Sequence, residues 1–140
     1  MESNIKIVTK QYDENNNVDT IEIEENAKVY DKNGYTYVVY KEVENGNSVT
    51  NTIKISQDEV SIKKFGSINS TMIFKKGYTD YIDYKTAYGL FKMNVYTTEL
   101  SINKINKIYI DICIKYDMEI QNLFKGKNEI SISIECFSNK

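Results

Sequence analysis

The chemistry open to this 140-residue chain rests on carboxylates, amines, phenols and two thiols, because it contains no His, Arg, Pro or Trp. Without imidazole there is no Ser-His-Asp or Cys-His nucleophile and no His metal ligand. Two carboxylate pairs have spacing worth weighing. Glu22 and Glu24, two apart on a strand, would stand about 7 Å from each other, inside the range of about 5 to 9 Å that glycoside hydrolysis uses. They alternate with Ile21 and Ile23, however, which assigns them to a wetted face. Asp80 and Asp83 flank Tyr81-Ile82 in the same way. A carboxylate-dependent hydrolase is therefore the least favoured reading. The thiols add little. Cys113 falls on the row of Asp111 and Lys115, Cys136 on a row of isoleucines, and neither belongs to a CxxC. Two sulfurs without His do not complete a zinc site, and no Gly-rich phosphate loop is present. The expectation is no catalytic residue, no metal and no cofactor.

Binding chemistry has better candidates. Lys63 and Lys64 point to opposite faces of a predicted strand, so one of them can enter the interior, although a solvated lysine whose stem covers apolar surface is the favoured reading in so lysine-rich a chain. A lysine placed there needs a carboxylate or an anionic ligand group to offset desolvation, and Glu42 is the expected partner. Tyr37, Tyr40, Met72, Phe74, Tyr88, Phe91, Met93 and Tyr96 are candidates to line an interior space. Methionine adapts to irregular apolar shapes, and tyrosine adds one polar tip. A solid core made of the same residues is the favoured reading, since small barrels are often filled by their own side chains.

The elements that must position these groups are strands. Ile108, Ile110, Ile112 and Ile114 alternate with Tyr109, Asp111, Cys113 and Lys115, and Ile130, Ile132, Ile134 and Cys136 alternate with Ser131, Ser133, Glu135 and Phe137. Shorter rows occur at Ile5/Ile7, Ile21/Ile23, Ile53/Ile55 and Val60/Ile62. Alternation sends one row inward and the other to water. Gly34, Gly46, Gly66, Gly77 and Gly89 recur at the intervals expected of turns between short strands, and Asn33-Gly34 and Asn45-Gly46 are strong hairpin dipeptides. Leu100–Ile105 and Tyr116–Phe124 carry apolar spacing that allows at most a short helical turn. The pattern predicts one all-β domain over residues 1–140, an antiparallel up-and-down meander of about eight to ten strands. Closure into a barrel, hydrogen-bonded all the way round, would dispose of its edges.

Composition narrows the partners. The 18 lysines face 20 acidic residues for a net charge of −2, which leaves no electrostatic footprint for nucleic acid. Ile, Lys, Asn and Tyr supply 66 residues, a bias that weakens any argument from lysine abundance alone. No stretch has the length of a membrane helix, and lysines on the polar rows argue against an outward apolar band. The start, Met1-Glu2-Ser3-Asn4-Ile5-Lys6, lacks the apolar region of a secretory signal. The expected compartment is the cytoplasm, with reduced cysteines.

The ordered fragments resemble the YwiB-like family of uncharacterised bacterial proteins. The similarity runs over roughly residues 18 to 135: Ile21-Glu22-Ile23-Glu24, Tyr35-Thr36-Tyr37-Val38-Val39-Tyr40 with Glu42, Val60-Ser61-Ile62-Lys63-Lys64-Phe65-Gly66, Met72-Ile73-Phe74-Lys75-Lys76-Gly77, Thr86-Ala87-Tyr88-Gly89 and Met93-Asn94-Val95-Tyr96-Thr97. Two positions depart from the family pattern, Lys64 for the usual Arg and Ala87 for the usual Pro. The resemblance implies a calycin-like, lipocalin-like β-barrel and no assigned activity. The functional expectation is a non-enzymatic module holding a small apolar or amphipathic ligand in the barrel mouth, at Tyr37, Tyr40, Glu42, Lys64, Met72, Phe74, Tyr88 and Met93. The competing expectation is a packed barrel that meets a partner protein, or a second copy as a homodimer, through a patch such as Tyr78, Tyr81 and Tyr84.

Overall fold

The alternating rows form ten strands: β1 (Glu2–Tyr12), β2 (Val18–Lys32), β3 (Tyr35–Glu44), β4 (Asn47–Ile55), β5 (Val60–Gly66), β6 (Ser70–Phe74), β7 (Thr79–Thr86), β8 (Gly89–Ile105), β9 (Tyr109–Ile120) and β10 (Phe124–Cys136). The structure, a computed structural model, describes residues 1–44, 46–66, 69–86, 88–106, 108–121 and 123–137, with backbone alone at 44 and 84–86. Asn45 of the second predicted hairpin dipeptide and Ala87 lie outside the described residues, as does the side chain of Tyr84. At the first dipeptide, Asn33 and Gly34 have φ of 54° and 83°. Both central residues thus take the left-handed conformation that a tight hairpin demands. No helix occurs among the described residues, and none is long and apolar enough to cross a membrane.

The two segments that allowed a helical turn are strand instead. A bulge between Thr97 and Glu99 shifts the register of β8 by one residue. Leu100 and Ile102 then resume the inward row opposite Ile114 and Ile112. In β9 the row continues through Tyr116, Met118 and Ile120. The helical spacing comes from Ile105, which lies off the inward row and exposed, and from the turn that follows Ile120.

All pairings are antiparallel, and the sheet order is β6-β5-β4-β3-β2-β1-β10-β9-β8-β7. Every neighbour in the sheet is a neighbour in sequence, apart from β1 with β10, so the meander curls round until β6 approaches β7. The barrel is nearly closed. The expectation of a ladder all the way round is corrected at this seam, where no strand pairing joins β6 to β7 among the described residues. A side chain does the joining: the Ile73 N–H donates to Asp80 Oδ2 at 2.9 Å. The wall also parts between β2 and β3. They pair only from Ala27/Tyr40 to Lys32/Tyr35, while β2 continues upward on β1 and β3 continues upward on β4. Above Tyr40 a wedge opens between Val18–Asn26 and Lys41–Glu44.

Side chains fill the interior. Phe74, Ile5, Ile53, Ile55, Ile114, Ile132, Ile134, Val38, Val60 and Val95 are wholly buried in one cluster. At the lower end Lys104 of β8 reaches across the barrel to β3, its Nζ donating to Thr36 Oγ1 at 2.8 Å, and Thr36 donates onward to Asp31 at 2.7 Å. One end is thus tied by polar side chains, and the wedge belongs to the other.

Candidate functional site

The inward row of β3 starts apolar and turns polar as it climbs: Val38, then Tyr40, then Glu42. Register places Tyr40 opposite Asn51 on β4 and Asn51 opposite Lys64 on β5. The three form a cross-strand row facing the lumen, with Glu42 beside it. Asn51 donates its Nδ2 to Glu42 Oε1 at 2.8 Å, and Lys64 Nζ stands 3.7 Å from the same oxygen. Lys64 and Glu42 therefore stand together, the less favoured of the two readings that the sequence allowed for this lysine. Glu42 is buried while the Lys64 side chain keeps a third of its surface in water. The lysine stem lies along the wall and its ammonium reaches the mouth.

Asn51 was not anticipated. Its signal was present: an amide interrupting the row Val49, Ile53, Ile55. Fully buried, it leaves Oδ1 with no hydrogen-bond donor among the described groups. A buried acceptor left unpaired costs about 1 to 3 kcal/mol; Thr97 Oγ1 and Asn128 Nδ2 are likewise buried without a partner elsewhere in the barrel. Tyr40 is also buried. Burial first, and then the carboxylates of Glu42 and Glu25, push its phenol far above the usual tyrosine range. Glu25 sits on the lumen-side row of β2, opposite Ile5, yet is exposed because the wall has parted there. The two residues next above it on that row are Ile23, half-buried, and Ile21, 58% exposed. The wedge thus presents an apolar strip leading down to a polar base.

The other expected lining residues divide. Met72, Phe74 and Met93 do face inward, but Phe74 and Met93 are sealed in the core and Met72 packs against it. Tyr37 is a correction: it faces outward and stacks on Tyr30, ring centroids 5.2 Å apart. Three residues from Tyr40 on a strand, it has to take the opposite face. Tyr88 is a second correction, standing 94% exposed beside the β7–β8 turn. Tyr96 is likewise on the outer face, and Phe91 is half-buried. Glu22 and Glu24 are exposed, bonded to Lys6 and Asn4 across the outer surface. Asp80 is buried while Asp83 is exposed, so that pair does not converge.

A groove of about 450 Å³ runs outside the barrel, between the β1–β2 turn and the outer face of β8–β10. Tyr12 and Tyr96 line it together with Asp13, Glu14, Asp117 and Glu119. Carboxylates do gather here, but not as an acid–base pair. Asp13 is held below the usual carboxylate range by the Asn17 backbone and side-chain amides, with help from the Asn15 N–H, and so fixes the turn. The other three are exposed, without the burial that tunes a catalytic acid. No cluster of metal-ligating side chains occurs among the described residues.

Comparison with solved structures finds the crystal structure of ywiB protein from Bacillus subtilis, at a TM-score of 0.86 and 20% identity, covering 98% of this chain and 92% of that one. At that identity the likeness concerns the fold. No curated protein matches the chain. The model of DUF1934, a domain of unknown function, matches residues 5–132, and the chain belongs to that family.

Proposed function

We propose that the protein is a non-enzymatic binding module, a calycin-like barrel that holds one small amphipathic molecule in the wedge between β2 and β3. The observation that carries this reading is the unpaired Asn51 Oδ1, buried beside the Lys64–Glu42 pair where the wall opens. The packed interior moves the ligand from the deep lumen to the mouth. There the polar end of a ligand meets Asn51, Glu42, Lys64 and Tyr40, and its apolar end covers Ile21 and Ile23. Burying such a strip is worth roughly 25 cal/mol per Å² of apolar surface. The fold itself is no argument for a ligand, since barrels host many roles. The free thiols Cys113 and Cys136 suit a reducing compartment, and a cytoplasmic site of action is part of the proposal.

Native mass spectrometry of protein purified without detergent tests it. The expected spectrum shows a retained small molecule, or uptake of an added amphiphile at one copy per chain. Ile23→Lys, which places a charge on the strip, is expected to abolish uptake. Uptake unaffected by Ile23→Lys, or no uptake of any amphiphile, would remove the mouth as the site.

A further inference from the structure

On the reading that the mouth is the binding site, we infer that its ligand carries a hydrogen-bond donor at the polar end, a hydroxyl or a protonated amine, and not a carboxylate or phosphate. The one ammonium in the row is already matched, with Lys64 Nζ 3.7 Å from Glu42 Oε1. Glu42 is held in turn by the Asn51 amide at 2.8 Å. One N–H of Asn51 Nδ2 points at the Glu42 carboxylate, which sets the amide's orientation, and the unpaired atom is its oxygen, an acceptor only. Glu25 adds a second carboxylate from the β2 side of the wedge. Two carboxylates against one ammonium leave the base of the wedge negative.

An anionic head would have to displace Glu42 from Lys64, stranding a buried carboxylate, or sit unpaired near two negative charges. Either is unfavourable, because a buried carboxylate that loses its cation is left uncompensated. A donor head meets no such conflict, because it bonds Asn51 Oδ1 and faces the carboxylates directly. Burial first, and then the Glu42 and Glu25 carboxylates, hold the Tyr40 phenol protonated beside them.

The test uses three probes with one tail, octylamine, 1-octanol and octanoate, titrated into the whole protein and followed by calorimetry and by the Asn51 side-chain amide resonances. Octylamine and octanol are expected to shift those resonances, and octanoate to bind at least about tenfold more weakly than octylamine, a difference of about 1.4 kcal/mol. Glu25→Gln alters an exposed side chain and leaves the fold intact; it is expected to shrink the preference for octylamine over octanoate. Octanoate binding as tightly as octylamine would overturn the donor-head inference while leaving the mouth as the site. Silence from all three probes would overturn the binding reading itself, and this inference with it.

Discussion

At the scale of single residues, parity decides nearly everything. A side chain's face follows from whether its number is odd or even within its strand, and that is legible without coordinates. It puts Glu22 and Glu24 in water, Cys136 inside and Cys113 with the polar row, as found. The same rule separates Tyr37 from Tyr40, and grouping them as one lining was a failure to apply it. Burial depth is another matter. Phe74 and Met72 share an inward row, yet only Phe74 is wholly enclosed, because it packs on Tyr116 across the interior with ring centroids 5.1 Å apart. That contact joins β6 to β9, strands far apart in the sheet order, and no local pattern announces it. Phe74→Ala is expected to cost about 3 to 5 kcal/mol, the range for emptying an aromatic site in a rigid core. Phe74→Leu, which refills most of the volume, should cost clearly less. Denaturant titration of both variants checks this, and equal losses would mean that the site collapses freely.

At the scale of elements, the meander of about eight to ten strands was legible from the alternating rows and their turns, whereas the places where strands fail to pair were not. Pairing depends on how twist accumulates round the sheet, which a strand's own residues do not encode. The seam between β6 and β7 illustrates the consequence. Ile73 has an N–H with no ladder partner, and the buried Asp80 carboxylate takes it. Asp80→Ala would leave that donor unsatisfied and is expected to cost about 1 to 3 kcal/mol. Asp80→Asn keeps an acceptor oxygen in place and should retain most of the stability. Hydrogen exchange gives the sharper readout: the Ile73 amide should lose protection in Asp80→Ala and keep it in Asp80→Asn. Unchanged protection in both would show that the seam is held by packing alone. The upper half of β2 is a different kind of edge. Its free side carries Glu22, Glu24 and the lumen-side Glu25, charges that discourage another strand from adding there. This is why the upper half of β2 can stay unpaired without inviting sheet extension.

At the scale of the whole molecule, the absence of His removes the usual titrating side chain between pH 5 and 8, and the structure puts a strong pH response at the alkaline end. Tyr116 is buried on the interior row of β9, and burial pushes its phenol up to about 12. Tyr40 is moved in the same direction, by burial and by Glu42 and Glu25. Both groups are neutral in the folded protein over a range where the unfolded chain, with phenols near 10, has already ionised. Below about pH 10 both states hold the proton and the folded state keeps its full advantage. Above it the unfolded state sheds protons that the folded state retains, so stability falls as pH rises. For Tyr116 alone the loss between about pH 10 and 12 is on the order of 2 to 3 kcal/mol. Urea titrations at intervals across that window, on the protein and on Tyr116→Phe, isolate the effect. The lysines and remaining tyrosines contribute alike to both chains, so the difference between the two curves reports position 116. That difference is expected to diminish steadily from pH 10 upward, with the native protein losing ground to the variant. Parallel curves would mean that the phenol is reached by water, and that the barrel around β9 breathes more openly than its buried isoleucines suggest.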